Sequence, residues 1–164
     1  MASGDTLLIF TPQNLTPSSP TNTATLDLRN YHAVLDFDDA AKEYAVFAAI
    51  MPRHYAGGGL TVYLHYAMSS AVADTIDWDV AFERIGDQVL DIDGNDWAAD
   101  QSVNDTIVPD TAGMVDVVSI PFTDGAQMDS IAVGEAFRMY VARDAVSDDA
   151  AGDAELLFVE IKET

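Results

Sequence analysis

The stretch TIDWDVAFERI, residues 75–85, decides the fold. Side chains of a β-strand change face at every residue. Ile76, Trp78, Val80 and Phe82 therefore share one side, while Asp77, Asp79, Ala81 and Glu83 mostly share the other. Trp78 and Phe82 are expected in a core, with Glu83 and Arg84 near the exit of the strand.

Working outward, five more segments read as strands: Tyr44 to Met51, Leu60 to Met68, Met114 to Phe122, Phe137 to Arg143 and Glu155 to Ile161. The first is a nearly continuous apolar run closed by Pro52, consistent with a buried strand. In the second, Tyr63 and His65 face one way and Val62, Leu64 and Tyr66 the other. Short helical turns are expected at Ala40 to Lys42 and Ala126 to Ile131, and no stretch holds a helical period over three turns. Short strands separated by Gly, Pro, Asp and Asn predict an all-β fold, an antiparallel β-sandwich of jelly-roll type.

Residues 11–25, TPQNLTPSSPTNTAT, carry three prolines among Ser, Thr and Asn, the composition of an extended segment. The expected organisation is an extended N-terminal arm over 1–28 and a sandwich over 29–164. The apolar start of the arm can add a strand to a neighbour or to the body's own sheet. Leu7, Leu8, Ile9, Phe10, Pro12 and Leu15 are its candidate partner-binding residues.

The formal net charge is −21, from 28 acidic residues against 7 Lys and Arg. Such a surface offers phosphates no basic footprint, so neither nucleic acid nor an anionic membrane is an expected partner. The longest apolar run, Tyr44 to Met51, has eight residues and is too short to span a bilayer. The start, MASGDTLLIF, lacks the basic and long apolar regions of a secretory signal. With no cysteine, disulfides and thiolate metal sites are excluded.

Chemistry-bearing motifs are few. The glycines at 57–59 match no phosphate-loop spacing and precede a strand instead of a helix, so they read as a flexible connection. His32, His54 and His65 make no zinc pattern, and no serine sits in a nucleophile elbow. In DIDGNDWAAD, residues 91–100, Asp91, Asp93, Asn95, Asp96 and Asp100 supply oxygens of the kind calcium accepts, without EF-hand spacing. Arg143 is placed to pair with one of Asp144, Asp148, Asp149 or Asp153 and pin the loop before the last strand. No catalytic constellation and no cofactor is expected, so the chain reads as a non-enzyme.

The order MPRHYAGGGLTVYLHYAMSS, IDWDVAFERI, LDIDGNDWA, IPFTDGAQMDSIAVGEAFRMYVARD and DDAAGDAELLFVEIKE resembles small jelly-roll decoration or cement proteins of tailed-phage capsids, over about residues 43–163. The resemblance implies a virion structural protein on the outer capsid surface. It would bind the major capsid protein as a homotrimer and bridge capsomers, and no functional residue transfers with it. The alternative is a carbohydrate- or receptor-binding β-sandwich, as in a phage fibre, with Tyr55, Tyr63, Tyr66 and Trp97 as the aromatic platform. A calcium-dependent fold built on residues 91–100 is a third reading.

Overall fold

The computed structural model describes residues 4–17, 21–70 and 74–164. Residues 1–3 and 18–20 of the expected arm, and 71–73 of the body, lie outside them. Among the described residues ten strands are formed: β1 (Thr6–Phe10), β2 (Thr25–Arg29), β3 (His32–Phe37), β4 (Glu43–Ile50), β5 (Leu60–Met68), β6 (Thr75–Ile85), β7 (Gln101–Ile107), β8 (Val115–Phe122), β9 (Ala136–Arg143) and β10 (Ala154–Glu163). One sheet runs β2-β3-β10-β5-β8, with β1 also paired to β10, and the other runs β4-β9-β6-β7. Every strand pairing is antiparallel, and the two sheets form a jelly-roll sandwich.

Alternation decides what fills the space between the sheets. Trp78 of β6 meets the ring of Phe37 on β3 edge-on at 5.2 Å and that of Tyr66 on β5 at 5.4 Å. Phe82 packs edge-on against Phe122 of β8 at 4.9 Å. Such aromatic pairs add about 0.5–1.5 kcal/mol each beyond the area they bury. Val62, Leu64 and Tyr66 point into the same core, as their spacing required.

On β10 the inward set shifts from Ala154 and Leu156 to Val159 and Ile161. A bulge between Leu156 and Phe158 inserts one residue, which reverses the facing of all that follow. The same bulge is where β10 exchanges one neighbour for another: β3 pairs with its first residues and β1 with its last. Pro121 sits in β8, an edge strand, where a missing N–H is tolerated.

The apolar start adds β1 to the body's own sheet, one of the two placements expected of it. Of its six candidate partner-binding residues, Leu7, Phe10 and Pro12 are buried, and Leu8 and Leu15 pack partly buried against the core. Only Ile9 is well exposed. Phe10 stacks 5.2 Å from Phe47 of β4, so β1 helps close the sandwich. β2, which contains residue 28, pairs with β3 along its whole length. Of the two expected helical turns, residues 126–128 form a 3-10 turn. Residues 40–42 form none; the Asp38 carboxylate instead accepts from the Ala40 amide at 2.6 Å.

The three glycines are scaffold. Gly57 has φ +88°, which side chains resist, and a Cβ on Gly59 would lie 2.6 Å from the Phe122 carbonyl oxygen. They bring the chain tightly past β8 into β5.

Candidate functional site

The outer face of the four-stranded sheet carries a groove of about 510 Å3. Its floor follows from the register of β4, β9 and β6. Alternation turns Phe137, Met139 and Val141 inward, which leaves Arg138 and Tyr140 outward. On β4 the same rule buries Ala45 and Phe47 and presents Tyr44 and Val46. Pairing sets Val46 opposite Tyr140, and Arg138 opposite Glu83 of β6.

The first wall is the loop between β6 and β7, which brings Asn95 and Trp97 over the sheet. Two buried anchors hold it. The Ala98 amide donates to the Phe82 carbonyl at 2.9 Å, and the fully buried Glu83 carboxylate accepts from the Asp96 amide. Glu83 also accepts from Arg138 Nε, while Arg138 Nη2 donates to Asn95 Oδ1 at 2.6 Å. The second wall is the N-terminal segment itself, through residues 16–17 and 21–23. It runs along the β4 edge: the Thr16 amide donates to the Val46 carbonyl at 2.8 Å, and the Tyr44 amide to the Asn22 carbonyl at 2.9 Å. Residues 16–17 and 21–23 thus cover a sheet edge and wall a groove.

Three aromatic rings line the groove in a row. Tyr44 and Tyr140 lie 5.3 Å apart at 83°, and Tyr140 and Trp97 lie 5.0 Å apart at 70°. The Arg138 guanidinium carbon sits 4.6 Å from the Trp97 ring centroid, a cation–π contact that fixes the indole. All three rings are half-buried, with surface left for a ligand. Burial above all, with the charge of Asp100 and against the influence of Lys42, pushes the Tyr140 hydroxyl up to about 12. It therefore remains a neutral donor at ordinary pH.

The acids on the outer side of β6 are polar but not exposed, because β6 is an inner strand covered by loops. Asp79 accepts from Lys42 and from Ser102. Asp77 accepts from the Asp105 amide at 2.7 Å, which satisfies the strand irregularity where β7 slips past β6. Asp77, Asp79 and Glu83 thus each have a bonded partner, as burial of charge requires.

The expected platform is regrouped. Trp97 lies in the groove, but Tyr55 and Tyr66 are buried elsewhere and Tyr63 lies on the outer face of the other sheet, under Lys162. Tyr55 donates its hydroxyl to the Gly58 carbonyl. Tyr44 and Tyr140 take their places; the alternation within Phe137 to Arg143 was the signal that carried Tyr140.

The calcium candidates do not converge. Asp91 accepts from the Asp93 amide at 3.0 Å, Asn95 is bound to Arg138, and Asp96 contributes its amide to Glu83. Among the described residues no three acids or histidines are grouped to hold a metal ion.

Arg143 does pin the loop before β10, from inside the protein. It donates to Asp148 through Nε at 2.8 Å and Nη2 at 3.1 Å, and to the carbonyls of Gly152 at 2.7 Å and Ala150 at 2.6 Å. Both side chains are essentially inaccessible, so the pair is a buried ion pair.

No protein-family model and no curated protein matches the chain. Solved structures do match its fold. A family 35 carbohydrate-binding module from an environmental isolate aligns with a TM-score of 0.56 at 9% identity, over 94% of this chain and 92% of its own. A carbohydrate-binding module of Cellvibrio mixtus lichenase 5A, solved with cellotriose, gives 0.56 at 9% identity over 98% and 99%. The C-terminal family 6 module of LamC, a marine laminarinase of Zobellia galactanivorans, gives 0.54 at 10% identity over 97% and 100%. At this identity the likeness is one of fold: the chain shares the β-sandwich jelly roll of these modules.

Proposed function

We propose that this chain is a non-enzymatic carbohydrate-binding module and that the groove on the four-stranded sheet is its glycan site. One observation carries the reading: Tyr44, Tyr140 and Trp97 line a groove of about 510 Å3 whose rim also presents Arg138 and Asn95. Sugars offer flat C–H faces for aromatic stacking and hydroxyls for polar donors and acceptors, and this groove has both. Its size falls within the ordinary range for ligand sites, about 300–1,000 Å3. The fold shared with carbohydrate-binding modules supports the reading without assigning the ligand. None of the described lining residues carries a carboxyl group, so the paired acids of glycoside hydrolysis have no counterpart there.

Decoration of a capsid, as a homotrimer on a major capsid protein, is the lesser reading. It draws on the overall strand pattern and on the N-terminal arm as a clamp, and in that arm Leu7, Phe10 and Pro12 are committed to the chain's own core. A glycan array with the purified protein tests the proposal: specific binding that Trp97→Ala removes is expected. Silence on the array together with attachment to undecorated capsids would reverse the order of the two readings.

A further inference from the structure

We infer, resting on the glycan reading, that the groove takes a single soluble, uncharged glycan chain and rejects both acidic polysaccharides and flat crystalline surfaces. Two independent features lead there. The first is ring geometry. Binding to a crystal face needs aromatic faces lying in one plane, but Tyr44 and Tyr140 stand at 83° and Tyr140 and Trp97 at 70°. They also lie on a floor between two walls, where a separate chain fits and a flat surface does not reach.

The second feature is charge. An acidic sugar needs an available cation, and Arg138 is the only lysine or arginine among the described lining residues. Its guanidinium is already engaged by Glu83, Asn95 and the Trp97 ring. Lys42, whose charge also reaches Tyr140, is held by Asp79 and Asp144. Asp100 adds negative charge near Tyr140, and the chain as a whole carries −21. A carboxylated or sulfated chain would enter a negative field in which Arg138 and Lys42 are already paired with carboxylates, whereas a neutral chain meets no such repulsion.

Affinity electrophoresis against matched polymers tests this: hydroxyethylcellulose with carboxymethylcellulose and dextran with carboxymethyl-dextran, plus a pull-down on microcrystalline cellulose. For whichever backbone binds, the acidic form should be retained at least ~5-fold more weakly at ~0.02 M salt, and the gap should narrow by ~0.5 M as screening sets in. Asp100→Lys should shrink the gap at low salt. No retention on microcrystalline cellulose is expected. Equal or tighter binding of an acidic polymer, or retention on the crystalline surface, would overturn the inference and leave the carbohydrate reading standing. Silence on every polymer and on a glycan array would remove both.

Discussion

The Arg138 guanidinium lies 4.6 Å from the centroid of the Trp97 ring while its Nε donates to Glu83, a carboxylate with no exposed surface. One side chain thereby joins the sheet to the loop that walls the groove. Asp96, next to Trp97, donates its amide to the same Glu83, so the indole is positioned from both sides. The aromatic row depends on a residue that never touches the ligand space.

Glu83→Ala leaves Arg138 and the Asp96 amide without their common partner. Arg138 is partly exposed, so the loss should fall at the low end of the ~3–5 kcal/mol that breaking a buried pair costs. Chemical denaturation measures that loss. Hydrogen exchange should rise between residues 86 and 100, and glycan retention should fall although Glu83 does not line the groove.

The two tryptophans separate binding from folding. Trp97→Ala should weaken glycan binding at least tenfold, about 1.4 kcal/mol, with only a small shift in the denaturation midpoint. Trp78 is fully buried between the sheets, and Trp78→Ala should cost ~3–5 kcal/mol of stability. Fluorescence changes on adding glycan should vanish in the first variant and persist in Trp78→Phe.

Arg143 and Asp148 test how a buried ion pair contributes. Arg143→Met strands the Asp148 carboxylate in the interior and should destabilise by ~3–5 kcal/mol. Arg143→Met with Asp148→Leu should regain part of that loss in urea denaturation, since no charge is then left unpaired. A double variant no better than the single one would mean that the carbonyl bonds to Ala150 and Gly152 dominate.

Asp36 predicts a pH dependence. Burial, then the charges of Asp153 and Glu155, raise its carboxyl from 3.8 to about 6, and one of its oxygens has no hydrogen-bond partner. The folded state therefore binds this proton more tightly than the unfolded chain does. Its contribution destabilises above pH 6, is relieved as pH falls from about 6 toward 3.8, and is absent below that window. Melting temperatures should rise between pH 8 and pH 5, and Asp36→Asn should flatten part of that rise. An identical pH profile in the variant would remove Asp36 as a cause.

Sequence alone determined what depends on near neighbours in the chain. Period-two alternation gave the strands around Trp78, Leu64 and Phe137, the inward set of each, and hence the sandwich. It also placed Tyr66 with Val62 and Leu64 on a core face, which argued against counting it in a platform. The strands β2, β3 and β7 went unread because β2 and β7 carry only two apolar residues each and those of β3, HAVLDF, fall on both faces. Tertiary structure alone decided the rest. Which strand lies beside which is set by hydrogen bonds between residues as distant as Thr6 and Lys162, and no local pattern encodes such a pairing. Those pairings set Glu83 against Arg138, buried the aspartates of β6 and folded the apolar start into its own sheet. They also gathered Tyr44, Trp97 and Tyr140, from three separate parts of the chain, into one groove.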